Sequence, residues 1–472
     1  MTTDVVQLLT SAIKVTPTEG QKRFFHLFKN FLASTKSRPT ILLKGYAGTG
    51  KTTLVGAVVS TATAINYKVV MLAPTGRAAK VMSNYSKRTA FTIHKYIYQR
   101  VEDSFTGNQY FMAQQNKAVN TIYIVDEASM IGTDNEMGAN LLQDLIFFVF
   151  AHESNRLILV GDTAQLPPVG QTLSPALDRH TLERLNLHLY EIELTEVMRQ
   201  QAHSGILANA TNLRQQLNKE NGEIKFQTRG YPDFYKMGTD KLHEGLEYAY
   251  KKFGEEDTIL ITRSNKSAVA FNKYIRSQIR WAEEEIETSD LLMVVKNNYA
   301  ALPEDSPLGF IANGDTIKVR KVRKIEEMYG LRFANIEFSL IDYPNHTNVE
   351  CKIILDTLHQ ETPSLSIEQY RKLYNDVAAE YADIPNKQER TQAIRKDSYL
   401  NALQVKYAYA LTCHKSQGGQ WGAVFVEQGY LTDEMMKDSA YFRWLYTAIT
   451  RASTQLFLVN FDEQFFIPQS NG

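Results

Sequence analysis

The sequence predicts an α/β fold of parallel sheets, and three observations carry that expectation. Short apolar runs alternate with helical patterns through the first 190 residues and again after residue 194. These runs are apolar at successive positions, as strands buried on both faces are. A glycine-rich loop, Gly45-Tyr-Ala-Gly-Thr-Gly-Lys-Thr-Thr53, follows the first run, and charged residues close the later ones. In open parallel sheets, ligands bind at those carboxyl ends.

Composition sets outer limits. The chain has 472 residues, 43% hydrophobic and 22% charged, the balance of a globular protein with real cores; that length fits about three domains. The longest apolar run, Leu145 to Ala151, falls well short of the roughly 18 residues of a membrane span. Met1 to Val6 carries neither a basic segment nor a long apolar one, so a cytoplasmic location is expected. Cys351 and Cys413 are too few for a metal cage and read as reduced thiols. The 52 basic residues balance the 52 acidic ones. That balance counts mildly against a protein that coats DNA and leaves room for a short strand gripped in a local groove.

The elements follow in order. Residues 1–35 read as mostly helical, with Thr16-Pro17-Thr18 opening a segment that carries Phe24, Phe25, Leu27, Phe28 and Phe31 at helical spacing. Strands are expected at Ile41 to Leu43, Val69 to Ala73, Thr121 to Val125 and Leu157 to Val160, with helices starting at Lys51 and near Gly76. Residues 99–120, polar and aromatic around Thr106-Gly107-Asn108, read as a small β-hairpin insertion. A second α/β region, 191–299 with 403–472, contains a strand at Thr258 to Thr262. Residues 300–402 change character, with alternating β-type runs from 315, 334 and 349 that read as a β-barrel-like insertion. A charged helical extension over 366–400 belongs to it.

The loop at 45–53 has the G-x-x-x-x-G-K-T pattern between a strand and a helix, which implies a nucleoside triphosphate. Backbone N–H groups of Gly45, Gly48, Thr49 and Gly50 can crowd phosphate oxygens, helped by the following helix dipole. Lys51 reaches the β/γ-phosphates, Thr52 supplies a Mg²⁺ ligand, and Thr53 completes the motif. Asp126 ends a strand where it can hold Mg²⁺, and Glu127 is placed to orient and deprotonate an attacking water. Gln165, after Gly161-Asp162, is a neutral donor and acceptor suited to sensing water or a γ-phosphate. Arg199 and Arg451 lie in the second region, where an arginine offered across a cleft can stabilise phosphoryl charge.

The ordered set of motifs resembles superfamily 1 helicases of the RecD/Dda/Pif branch, superfamily 1B. The matching residues are Gln21, Gly45 to Thr53, Ala73 to Ala79, Thr92-Ile93-His94, Asp126 to Met130, Gly161-Asp162 with Gln165-Leu166-Pro167, Met198-Arg199, Tyr409 to Gly418 and Leu445 to Ala452. The resemblance covers about residues 15 to 460 and is weakest from 300 to 400. It implies two RecA-like P-loop NTPase domains with ATP between them, and an SH3-like barrel opening around Asn313-Gly314-Asp315. It implies an ATP hydrolase that moves 5′ to 3′ on single-stranded DNA and unwinds duplexes, with Gln21 reading adenine. Thr75, Arg77, His94, Asn265, His414 and Lys415 would face DNA or link it to ATP. The hairpin would be a strand-separating pin, with Phe105, Tyr110 and Phe111 as wedges. Implied partners are single-stranded DNA and duplex junctions, met by a monomer working with replication, repair or recombination proteins. Two alternatives stay open: a translocase that does not unwind, and a P-loop switch that does not bind nucleic acid.

Overall fold

The computed structural model describes residues 4–102, 109–132, 140–198, 203–217, 219, 222–303, 306, 308–343 and 346–468. The first domain contains β1 (Pro39–Gly45), β2 (Lys68–Ala73), β3 (Ala90–Thr92), a hairpin of β4 (Tyr98–Glu102) and β5 (Gln109–Ala113), then β6 (Thr121–Val125), β7 (Arg156–Gly161) and β8 (His188–Leu194). Six of these form a sheet in the order β3-β2-β6-β7-β1-β8, with every pairing parallel. Alternation along the strands divides the core. Ile41, Leu43, Ile122, Ile124, Ile158 and Val160 pack on one face, with Phe24, Phe28 and Leu54. Leu42, Tyr123, Val125, Leu157 and Leu159 pack on the other, with Leu142, Leu145 and Ile146. The expected N-terminal helix runs over Glu19–Leu32, opened by a reciprocal capping box between Thr18 and Gln21.

The second domain has β9 (Phe234–Met237) and β10 (Thr258–Thr262), followed by the barrel strands β11 (Leu291–Val294), β12 (Thr316–Met328), β13 (Leu331–Leu340), β14 (Val349–Ile354) and β15 (Leu403–Tyr407). It resumes with β16 (Ala410–Thr412), β17 (Trp421–Glu427) and β18 (Ala452–Val459), giving a parallel sheet ordered β16-β10-β17-β18-β9.

The five barrel strands close on themselves. The barrel therefore begins at Leu291 and ends at Tyr407, outside the 300–402 expected from sequence, and β8 carries the first domain past residue 190 to Leu194. Leu291–Val294 and Leu403–Tyr407 are buried at every position, so their sequence does not distinguish a barrel stave from a strand of the parallel sheet. Asn313-Gly314-Asp315 forms the turn into β12, and the opening strand lies before it. The charged extension is two helices, Ile367–Glu380 and Lys387–Lys396, whose Leu373, Val377 and Ile394 are buried.

One hydrophobic core runs without a break from the second sheet (Leu260, Val424, Leu458) into the barrel (Leu292, Ile317, Phe338, Val405). A buried ionic group reinforces that junction. Asp290 accepts from Arg276 Nε (3.0 Å) and Nη2 (2.9 Å), from Arg280 Nη1 (2.6 Å) and from the Tyr409 hydroxyl (3.0 Å). The barrel meets the first domain through polar contacts: Lys95 with Asp315 (3.3 Å) and over the Tyr343 ring (4.4 Å), and Lys80 with Asp342 (3.5 Å).

Removing one partner of a buried ion pair leaves the other charge uncompensated, at a cost of about 3–5 kcal/mol. Asp290→Ala is thus expected to lower the urea midpoint of the second domain and barrel. A midpoint equal to wild type would show that the group does not hold the junction.

Candidate functional site: an interdomain nucleotide cleft

The sheet order sets β6, β7 and β1 side by side, so the motifs at their carboxyl ends converge. A polar cleft of about 570 Å³ lies there, walled by Gly48, Gly50, Lys51, Thr52, Thr53, Asp126, Glu127, Asp162 and Gln165 of the first domain. Thr450, Arg451, Ala452 and Ser453 of the second domain face them.

The phosphate loop is tightly built. Gly50 has φ +85°, a backbone that favours glycine, and a Cβ on it would lie 2.4 Å from Gln21 Nε2 and push that amide aside. Thr49, fully buried, donates its hydroxyl to Tyr46 O (2.7 Å) and so shapes the loop. Lys51 Nζ donates to Gly45 O (2.6 Å) and Tyr46 O (3.0 Å) and lies 3.9 Å from Asp162 Oδ2. Thr52 is exposed on the cleft wall and Thr53 is half-buried. Gln21 is fully buried beside the loop rather than on the cleft wall: its Oε1 accepts from Thr18 N–H (3.1 Å), and its Nε2 faces Met198 Sδ (3.8 Å). Met198 N–H donates to Gly48 O (3.0 Å), which docks the segment leading to Arg199 on the loop. Arg199 itself lies outside the described residues.

The acidic pair divides its work. Asp126 Oδ1 accepts from Glu127 N–H (2.8 Å), and Oδ2 accepts from the Tyr85 hydroxyl (2.7 Å). Glu127 adopts a left-handed backbone (φ +53°), an uncommon state for a non-glycine residue that re-aims the chain at the strand end. Burial raises the affinity of its carboxylate for a proton, and the nearby Arg451 charge opposes that shift. Gln165 is buried and its Oε1 has no hydrogen-bond partner, so an acceptor stands ready at the cleft.

Arg451 is 3% exposed and is oriented by Thr447 O (3.0 Å), Gly419 O (3.2 Å) and Thr450 Oγ1 (3.3 Å). Its helix, Ser439–Ile449, ties the two domains together. The Tyr446 hydroxyl accepts from Ala47 N–H of the phosphate loop (2.8 Å) and donates to Asp162 Oδ2 (2.6 Å). Thr447 Oγ1 accepts from Leu166 N–H (2.8 Å), Gln417 Nε2 donates to Leu166 O (2.7 Å), and Arg443 donates to Thr163 O. Tyr85, Asp162, Arg443, Tyr446 and Thr447 were not among the site residues expected from sequence. Asp162, Tyr446 and Thr447 lie inside the quoted motifs, whereas Tyr85 and Arg443 carry no sequence signal.

A second junction lies where the N-terminus of the helix Gly76–Ser86 meets the short helix Cys413–Ser416 and the glycine turn that follows it. Thr75 caps that helix through Ala78 N–H (3.3 Å) and packs against Gly418. Arg77 stacks on Trp421 (4.0 Å) and donates to Glu256 O (3.4 Å) and Gln420 O (3.5 Å), so its guanidinium braces the second domain. His414 and Lys415 lie on the second-domain side of this junction, where partial removal from water lowers the proton affinity of both. His94 packs on Tyr98 (5.8 Å), and burial holds its pKa down at about 4. Asn265 opens the helix Asn265–Tyr274. In the hairpin, β4 and β5 pair from Tyr98↔Ala113 to Glu102↔Gln109. Phe105 and the side chains of Tyr110 and Phe111 lie outside the described residues.

The residues suit a magnesium-nucleotide. Both Asp126 oxygens keep lone pairs free, and no cluster of three or more potential ligands occurs among the described residues. Magnesium is commonly held by one or two protein oxygens together with nucleotide phosphates.

Two sheets joined across such a cleft define a P-loop nucleotide-binding protein with paired RecA-like domains. Residues 19–229 match the AAA domain family, and 407–459 match the UvrD-like helicase C-terminal domain. An uncharacterized protein of Acanthamoeba polyphaga mimivirus is 23% identical over 88% of this chain and 94% of its own length. The ATP-dependent RecD2 DNA helicase of Deinococcus radiodurans is 35% identical over 37% of this chain and 21% of its own. The ATP-dependent DNA helicase dda of Enterobacteria phage T4 is 27% identical over 59% of this chain and 60% of its own. The chain thus spans nearly all of the mimivirus relative, about a fifth of the RecD2 helicase and 60% of the dda helicase. These matches make the chain similar to ATP-dependent DNA helicases of the RecD2 and dda kinds and, near its C-terminal end, to UvrD-like helicases.

Tyr446→Phe would leave the buried Ala47 N–H without its acceptor, at a cost of about 1–3 kcal/mol. The variant is expected to unfold at a lower temperature in calorimetry. An unchanged transition would contradict the cross-domain bond.

Proposed function

We propose that this chain is an ATP-dependent DNA helicase that translocates 5′ to 3′ on single-stranded DNA and unwinds duplexes at junctions. The observation that carries the reading is the shared cleft: Lys51, Asp126, Glu127 and Gln165 from one domain face Arg451 from the other. The names of the related helicases support DNA as the track. No helix among the described residues is long and apolar enough to cross a membrane; in this reading the protein works as a cytoplasmic monomer.

The residues take distinct roles. Lys51 leaves its loop carbonyls for the β/γ-phosphates; Thr52 and Asp126 would hold magnesium, which would neutralise phosphate charge. Glu127 accepts the proton of the attacking water, which Gln165 Oε1 orients. Arg451, pre-oriented by three oxygens, stabilises charge on the transferring phosphoryl group. Loss of the γ-phosphate weakens the bridge between domains, and alternating grip on the strand turns that motion into a step. Thr75, His414 and Lys415, beside the domain junction, are the strand contacts in this reading, with His94 and Asn265 extending the track. Phe105 and Phe111 serve as pin wedges, and Arg199 as a second phosphate-sensing arginine.

Lys51→Ala is expected to abolish DNA-stimulated ATP hydrolysis with the circular-dichroism spectrum unchanged; retained turnover would overturn the reading. Unwinding of 5′-tailed over 3′-tailed duplexes by the wild type tests polarity. Stimulated hydrolysis without unwinding would identify a translocase, and hydrolysis indifferent to DNA a switch ATPase.

The pH profile tests Glu127. A base acts when ionised, so activity falls as pH drops through its pKa. Burial raises that pKa, so the acid limb of kcat/KM should lie above the ordinary glutamate value of 4.5. A limb at or below that value would remove Glu127 from the role.

A further inference from the structure

The helix Gly76–Ser86 reaches from one junction to the other. Its N-cap Thr75 packs against Gly418 of the second domain, and its Gly76 sits against Asp315 of the barrel. Near its other end, Tyr85 lines the nucleotide cleft and donates its hydroxyl to Asp126 Oδ2 at 2.7 Å. The second Asp126 oxygen accepts from Glu127 N–H at 2.8 Å. The final torsion of an aspartate side chain is soft and broadly two-fold. A backbone bond to one oxygen leaves the carboxylate plane free to rock, and a donor on the other oxygen fixes it. The rest of the Tyr85 ring packs against the first-domain core, so the hydroxyl is carried by the helix as a rigid body.

We infer that Tyr85 is a positioning residue for the hydrolytic site: its hydroxyl sets the plane of the Asp126 carboxylate and ties it to the helix whose other end meets the second domain and barrel. The inference rests on the proposed role of Asp126 toward a magnesium-nucleotide. Hydrogen bonds to a metal-binding side chain commonly matter about 10–100-fold in affinity or activity. The tie runs both ways. A shift of the Thr75 end when a strand binds changes the register of Tyr85 against Asp126, and the cleft reads it as altered metal affinity.

Tyr85→Phe keeps the ring and removes the bonding oxygen. With the full chain and a fluorescent ADP analogue, binding is titrated with Mg²⁺, without turnover, with and without a thymidine oligonucleotide. The Mg²⁺ midpoint is expected to rise about tenfold in the variant, with metal-free nucleotide affinity unchanged. The oligonucleotide is expected to shift the midpoint in wild type and not in the variant. An equal midpoint in both proteins overturns the positioning role, because a purely structural tyrosine would not select for metal. Equal oligonucleotide shifts in both proteins overturn the tie along the helix. A wild type whose nucleotide binding ignores Mg²⁺ overturns the hydrolytic reading itself, before the variant is considered.

Discussion

One phenol oxygen, that of Tyr446, stands at the centre of the molecule. It accepts from the backbone of the phosphate loop and donates to Asp162, and it belongs to the other domain. Burial raises its pKa well above the ordinary tyrosine value, so it keeps the proton that makes it donor and acceptor together. The loop that cradles phosphates and the helix that delivers Arg451 are therefore joined by a single neutral group. Its surroundings follow suit: Thr447, Gln417 and Arg443 repeat the pattern, each reaching from the second domain to backbone atoms between Thr163 and Leu166. None of these contacts uses the Gln165 Oε1 acceptor, which keeps no hydrogen-bond partner.

The charge balance of the chain fits this arrangement. The cleft concentrates Lys51, Arg451, Asp126, Glu127 and Asp162 in a small polar volume, and the net charge of zero says little about it. Local geometry governs: desolvation of Glu127 is offset by Arg451, two residues remote in sequence and joined only by domain closure. An electrostatic site of this kind depends on exclusion of water more than on formal charge.

Much of this was legible in the sequence. The β1, β6 and β7 strands have apolar centres that run into the motif residues, so their position and burial could be read together. The helix caps at Thr18, Thr75 and Ser366 follow side-chain chemistry. What escaped reading has a common cause. The fully buried staves Leu291–Val294 and Leu403–Tyr407 lack the alternation that marks a barrel wall. Tyr85 is one aromatic on an ordinary amphipathic helix, and only tertiary packing brings it to Asp126. Gln21 carries two signals at once: its motif position suggests a base reader, and its Oε1 accepts from Thr18 N–H in the cap it helps to form.

The unbroken core between the second sheet and the barrel has a mechanical consequence. Apolar packing and the Asp290 group weld those two units, whereas the barrel touches the first domain through lysine–aspartate pairs whose Asp315 and Asp342 retain oxygens without hydrogen-bond partners. Counted by topology the chain has three units; counted by stiffness it has two. The barrel is an outrigger on the second body: any hinge rotation at the cleft would be magnified at its far rim, and the lysine–aspartate pairs would be the contacts to give way.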